Sequence, residues 1–273
     1  MKSRSNLGKT GWMRLLQACV AFGGIAGIAG SVQAFQPLIT DDTGTQGDGG
    51  HQLEFSLTRD RAKTAEETER TRTMAGTYTY GLNETIDLFA GMSHARIDAR
   101  SADHRTSGFG NPVVGVKWRF FEEETTGSSL ALKPEIVLPV SASRERDGLG
   151  SGKTSGNLTL IFTQEVPFGA VHVNAGLGRE RFRDSDASPT TNYRRFSVAP
   201  VWDVSEQWKL ALDLGLESAR ADGDTTRTRF VELGAIYAAS KNLDFAFGAV
   251  RSIDNASAKT TTHSLTAGVT WRF

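Results

Sequence analysis

The chain ends in Leu265-Thr266-Ala267-Gly268-Val269-Thr270-Trp271-Arg272-Phe273, where apolar or aromatic side chains occupy every second position. Successive side chains of a β-strand point to opposite faces, so this period of two predicts a strand with one apolar face. The same alternation recurs in segment after segment from residue 51 onward. We count twelve such segments, of which the weakest covers about residues 71 to 80.

The connections between these segments decide between a soluble β-protein and a membrane barrel. Short connections such as Gly81–Glu84 alternate with long polar ones such as Asp60–Arg70, Ser141–Lys153 and Ala221–Thr226. Tight turns at one end and longer loops at the other are typical of outer-membrane barrels, whose turns lie in the periplasm. The sequence therefore predicts an all-β protein, a transmembrane antiparallel up-and-down β-barrel of about twelve strands, of the outer-membrane type.

Tryptophan placement independently favours the membrane. Beyond the N-terminal leader, the tryptophans share the apolar parity and the short-turn end of their segments: Trp118, Trp202, Trp208 and Trp271. Amphipathic rings at one level form the girdle of a membrane interface.

The N-terminal sequence predicts a secretory signal peptide. Basic residues precede an apolar run at Leu15–Gly30, and the small residues Val32 and Ala34 suit cleavage before Phe35. The alternative is a membrane anchor helix, for which the run is short and rich in glycine and alanine. We predict residues 1–34 as the signal peptide, 35–50 as a periplasmic or lumen-inserted segment, and 51–273 as the barrel. Such a chain is expected in the bacterial outer membrane.

Charge argues against a nucleic-acid partner. The whole chain has 31 basic and 31 acidic side chains, but the leader carries four of the basic ones and no acid. The mature chain is thus left with a net charge near −4.

Catalytic motifs are missing from the sequence. It contains no Gly-x-Ser-x-Gly, no His-Glu-x-x-His and no phosphate-binding glycine loop, so we expect no catalytic residue, cofactor or metal site. The alternative is a lipid-modifying barrel enzyme, because His94 and His263 have the lipid-facing parity near the outer rim. Neither has a serine and an acid in register beside it, which favours a simple position at headgroup level.

Charged residues on the inward parity predict a solute pathway, because charges within a membrane must face an aqueous or protein interior. The predicted lumen residues are Glu54, Lys117, Lys133, Glu135, Asn174, Asp213 and Glu232. A basic wall, Lys117 and Lys133, would face an acidic wall, Asp213 and Glu232, and orient polar solutes between them. The alternative is that these groups pair internally and fill a non-conducting structural or surface barrel.

Arginines recur on the outward parity at the long-loop ends. They are Arg59, Arg72, Arg96, Arg179, Arg194, Arg220, Arg229 and Arg251. Arginine forks bind phosphates and carboxylates in pairs of hydrogen bonds, so this rim predicts contact with outer-membrane lipid and lipopolysaccharide. The alternative is that the arginines extend to water or pair with loop acids such as Asp60 and Glu69.

One stretch just after the cleavage site, Pro37-Leu38-Ile39-Thr40-Asp41-Asp42, is unlike the rest. It resembles the opening of an outer-membrane transporter family named for the meta-pathway of phenol degradation. Gly110–Phe120, Leu132–Pro139 and Val171–Gly176 match the family too. The family often has Pro-Thr-Gly in one loop, where this chain has Pro139 followed by Val140-Ser141.

The resemblance implies an uptake channel for small solutes, including aromatic or hydrophobic compounds. The final strand, ending in Phe273, also resembles the signature that the barrel-assembly machinery recognises, so we expect that machinery as a partner.

Overall fold

The structure is a computed structural model that describes residues 37–99, 104–184 and 188–273. These residues form one antiparallel sheet and a short helix, α1 (Ala142–Arg146). The strands are β1 (His51–Lys63), β2 (Thr68–Asn83), β3 (Ile86–Ala99), β4 (His104–Phe109), β5 (Val113–Glu123), β6 (Ser128–Val137), β7 (Ser155–Val166), β8 (Gly169–Glu180), β9 (Thr191–Asp203), β10 (Trp208–Ala221), β11 (Asp224–Ser240), β12 (Leu243–Asp254) and β13 (Thr261–Arg272). The predicted signal peptide and its cleavage site lie outside the described residues.

The sheet closes on itself, because β1 pairs with both β2 and β13. At the seam, the backbones of His51 and Phe273 exchange two hydrogen bonds, at 3.1 and 3.0 Å. Strands β4 and β5 pair with different halves of β3, so the thirteen segments occupy twelve positions around the barrel. The predicted twelve-stranded antiparallel barrel is confirmed. Among the described helices, none is long and apolar enough to cross a membrane.

The two faces of the wall differ as the alternation predicts. Outward leucines are widely exposed, with Leu233 and Leu265 each at 64%, whereas inward acids such as Asp213 and Glu232 are at 0% and 1%. Polar and charged side chains are thus buried inside, and apolar ones face outward. This distribution of polar and apolar side chains is the inverse of that in a soluble protein, and it suits a barrel surrounded by lipid.

The long-loop end is more regular than predicted. Residues 60–63 continue β1 and residues 68–70 belong to β2, so most of the predicted loop Asp60–Arg70 is strand. Strands β10 and β11 are joined by Asp222 and Gly223 alone, both with positive φ, as in a tight hairpin turn. The strands at this end are longer than predicted, because polar residues such as threonine and arginine can continue the backbone hydrogen-bond ladder above the membrane.

The predicted aromatic girdle is present at the short-turn end. All four tryptophans among the described residues are exposed, and each lies against another ring. The pairs are Trp118 with Phe120, Trp202 with Phe168, Trp208 with Tyr237, and Trp271 with Phe273.

Candidate functional site

Residues 37–50, the inner segment, precede the first strand and run through the interior of the barrel. Leu38, Thr40, Asp41 and Thr43 are buried, although none belongs to a helix or strand. Thr40, Asp41 and Thr43 form hydrogen bonds with side chains of the barrel wall, 76 to 173 residues further along the chain. The first two residues of the predicted segment 35–50 lie outside the described range.

The segment's backbone binds the acidic wall. The amide nitrogens of Ile39 and Thr40 donate to Asp213 at 3.0 and 2.8 Å, and that of Ile39 also donates to Glu232 at 3.2 Å. The Thr40 hydroxyl donates to Asp213 at 2.7 Å and also lies 2.7 Å from the Ser197 hydroxyl oxygen. Two acids that face each other across the β10–β11 pair are thus held by neutral donors.

The segment's carboxylate binds the basic wall. The two carboxylate oxygens of Asp41 accept from Lys117 at 2.9 Å and Lys133 at 2.8 Å. Asn174 clamps the same residue, accepting from its amide at 2.7 Å and donating to its carbonyl at 2.8 Å. Burial alone would raise the pKa of the Asp41 carboxyl, but the two ammonium groups outweigh it and hold that pKa well below its usual range.

The inner segment also makes apolar contacts with the wall. Leu38 packs in a buried cluster with Ala199, Val201 and Ala211. The inward glycines Gly234 and Gly248, which face each other on β11 and β12, leave room for the start of the segment. A Cβ at Gly234 would stand 2.9 Å from Leu38 Cδ2, and one at Gly248 would stand 3.0 Å from Pro37 Cβ.

A glycine turn carries the segment out of the lumen into β1. Gly47 and Gly49 have φ of 77° and 72°, which L-amino acids with side chains rarely adopt. Just before the turn, the amide of Gln46 donates to Asp87 at 3.0 Å. Asp87 lies on the inward parity, although it is not among the predicted lumen residues.

A polar cavity of about 300 Å³ lies on the short-turn side of the segment. Glu54, Lys117 and Lys133 line it with Phe89, whose ring centroid is 5.0 Å from Lys133 Nζ. The Lys133 ammonium thus makes a cation–π contact with this ring.

The structure brings most predicted lumen residues to the inner segment. Five of the seven contact it: Lys117, Lys133, Asn174, Asp213 and Glu232. The other two are buried beside it. Glu54 lines the cavity, and Glu135 accepts from Asn157 at 3.3 Å.

Sequence reasoning missed the polar contacts made by small residues. Ser129, Thr163 and Ser197 bind the segment through hydroxyl groups. Their inward parity was visible, but serine and threonine line any polar interior and carry no signal of their own.

All eight predicted rim arginines are exposed on the outer face. Arg96 contacts Asp98 at 3.5 Å. The suggested partner Asp60 is buried, so it does not neutralise the rim. His94 stacks edge-on against Phe109, and His263 lies in register between Arg61 and Arg251. In the described ranges, no group of histidine, cysteine and acidic residues could hold a metal ion.

Solved structures share this architecture at low sequence identity. An outer membrane channel from Pseudomonas putida F1 has a TM-score of 0.67 at 14% identity, covering 85% of this chain and 98% of that one. The β domain of the Bordetella autotransporter BrkA has a TM-score of 0.53 at 12% identity, covering 83% and 100%. For the NanC porin, the TM-score is 0.51 at 10% identity, covering 80% and 98%.

These likenesses show the fold of a bacterial outer-membrane β-barrel. No curated protein matches the chain at a significant level. A family model, described as "Putative MetA-pathway of phenol degradation", matches residues 34–273, nearly the whole chain. The chain therefore belongs to that family.

Proposed function

We propose that the protein is an outer-membrane channel for small solutes, aromatic compounds among them, and that the inner segment closes it. The observation that carries the proposal is the double attachment of the segment: Asp41 binds the basic wall, while Ile39 and Thr40 bind the acidic wall. A wall built only for stability would pair its own lysines and acids directly. The wall does pair some of its own charges, Lys133 with Glu135 at 4.0 Å and Arg195 with Glu217 at 2.6 Å. Lys117 and Asp213, however, are joined through a segment that can leave.

Departure of the segment is energetically reasonable. Its residues 39–43 contribute no strand ladder and are held by side-chain hydrogen bonds. A buried ion pair gains little net free energy, because the attraction must offset the desolvation of both charges. Water or solute entering the lumen would solvate the wall charges again, which lowers the cost of opening.

Aromatic solutes fit the chemistry beneath the segment. Phe89 and Lys133 offer a ring face and a charged donor in the same cavity. The family's description names phenol degradation, and the similar Pseudomonas putida structure is named an outer membrane channel. Once the segment leaves, the seven lumen residues would form the solute pathway.

The test is conductance in planar bilayers together with liposome swelling in phenol and in a neutral sugar of larger size. We expect the wild-type protein to conduct little and a variant lacking residues 37–46 to conduct strongly. Asp41→Asn should raise the open fraction, because removing one partner of a buried ion pair costs about 3 kcal/mol. Asp48→Asn is the matched control, since Asp48 is exposed in the same segment and should leave conductance unchanged.

A sealed barrel would give a different result. If the deletion variant conducts nothing and admits no solute, the wall itself fills the lumen and the channel proposal fails.

Three finer expectations belong to the same proposal. The barrel is not an enzyme, because His94 packs against Phe109 rather than beside a serine and an acid. The strand ending in Phe273 is recognised by the barrel-assembly machinery. Outward arginines at the long-loop end contact lipopolysaccharide. Assaying purified protein for lipid hydrolysis checks the first, and any turnover lost in His94→Ala would reject it.

A further inference from the structure

Basic residues are concentrated on one side of the outer surface. Strand register places Arg59, Arg72 and Arg96 directly opposite one another on β1, β2 and β3. Two residues further toward the long loops, a second row crosses β12, β13, β1 and β2. It consists of Arg251, His263, Arg61 and Arg70. Neighbouring strands lie about 4.8 Å apart, so the second row spans roughly 14 Å.

Little in the protein neutralises these two rows. Like charges directly opposite one another on a sheet are destabilising. Arg96 pairs with Asp98, which also binds Arg105 at 3.2 Å. Within the described part of the chain, no ion pair is found for Arg59, Arg61 or Arg72. An external anion would remove the repulsion.

A shallow apolar groove of about 660 Å³ lies just below the rows, toward the middle of the membrane. It forms because alanines alternate with larger side chains across the strands: Ala267 lies between Leu57 and Phe247, and Ala249 lies between Leu265 and Leu233. Arg59 lines one end of the groove. An alkyl chain lying there would end among the guanidinium groups.

We infer that this face, from β11 through β13 to β2, is a binding site for the lipid A part of lipopolysaccharide. The arginine rows bind its phosphates through paired, charge-assisted hydrogen bonds, and the groove holds one of its acyl chains. The long-loop end faces the outer leaflet, where such a lipid resides. This site differs from the predicted rim of eight arginines. It leaves out Arg179, Arg194 and Arg220, and it includes Arg61, Arg70 and His263. It is independent of whether the barrel conducts.

The test compares two triple variants of the full mature protein in phosphatidylcholine vesicles. One is Arg59→Gln/Arg61→Gln/Arg72→Gln, and the matched control is Arg179→Gln/Arg194→Gln/Arg220→Gln. The midpoint of thermal unfolding is measured in plain vesicles and in vesicles with lipid A, dephosphorylated lipid A or phosphatidylglycerol. We expect lipid A alone to raise the midpoint of the wild-type and control proteins. The first triple variant should lose most of that rise and be at least as stable as wild type in plain vesicles, because its facing arginines no longer repel one another.

Three results would overturn the inference. Equal loss of the rise in both triple variants would show a diffuse charge effect. An equal rise with phosphatidylglycerol would show that any anionic lipid suffices. A drop of the first variant in plain phosphatidylcholine as large as in lipid A would show that the arginines serve the barrel itself.

Discussion

At the residue scale, Asp41 and its neighbour Thr40 join the basic wall of the lumen to the acidic wall. Its carboxylate neutralises both lysines of the basic wall, and its backbone is clamped by Asn174. Neighbouring Thr40 satisfies Asp213 on the acidic wall. One short stretch therefore compensates opposite charges on opposite sides, which no single wall residue could do.

The lowered pKa of Asp41 makes a prediction about acid. A carboxyl whose folded pKa is depressed stabilises the docked segment above its ordinary pKa, and this contribution is lost only as the pH falls through the lower value. The difference in open fraction between wild type and Asp41→Asn should therefore stay constant from pH 8 to about pH 5. Bilayer conductance of both proteins across that range measures it. A difference that disappears between pH 7 and pH 5 would mean that Asp41 is not held ionised by the lysines.

At the element scale, the inner segment is unusual because it has a fixed path without secondary structure. Its conformation depends on side chains from strands on both sides of the barrel. Glycines at the exit and in the facing wall remove the steric obstacles. An element held in this way can move as a unit, because the wall strands keep their ladders when it leaves.

A reversible tether tests this movement. The hydroxyl oxygens of Thr40 and Ser197 are 2.7 Å apart, so the side chains at these two positions are in direct contact and a disulfide bond of about 2.05 Å could join cysteines placed there. The one natural cysteine, Cys19, lies in the predicted signal peptide. We expect Thr40→Cys/Ser197→Cys to stay closed when oxidised and to regain wild-type opening after reduction, measured in one bilayer experiment. Each single cysteine variant serves as the control. Equal conductance before and after reduction would contradict a departing segment.

The sequence predicted the wall elements well and the inner segment only in outline. Alternation is a local property, so it predicts all twelve strand positions of the barrel and the inward parity of Lys117 and Asp213. The short strand β4 was not among the twelve predicted segments, because it falls within residues 97–109, which the sequence predicts as a long loop. The attachment of Ile39 to Asp213 spans 174 residues, and nothing local encodes it. Strand ends were placed too early for a related reason: polar residues above the membrane keep the ladder, although they lose the apolar face that marks it.

At the scale of the whole molecule, the barrel is closed by the pairing of β1 with β13, which Phe273 extends at its short-turn end. Phe273 exchanges two backbone hydrogen bonds with His51, and their rings stack at 5.2 Å with an interplanar angle of 9°. Phe273 thus completes both the seam and the aromatic girdle, beside Trp271 at 4.6 Å.

Substitution at this position separates folding from recognition. Phe273→Ala keeps the backbone bonds and loses only the ring, so we expect it to refold in detergent nearly as wild type does. In cells, its amount in the outer membrane should fall, because the assembly machinery would lose its aromatic signal. Heat-dependent gel mobility measures the first and membrane fractionation the second. Leu265→Ala, at an exposed lipid-facing site, is the control. A normal cellular level of Phe273→Ala would remove the recognition argument.

The seam between β1 and β13 also bears on the order of folding events. Gln52 and Arg272 pair across 220 residues, so the ring closes only after the whole chain is available, and such distant contacts form slowly. The inner segment is covalently joined to β1, the strand that must wait longest for its second neighbour. Before closure, the segment can already bind Lys117 on β5 and Asp213 on β10 from the side that becomes the lumen. We therefore expect it to act as an internal scaffold around which the ring assembles, a role completed before any solute arrives.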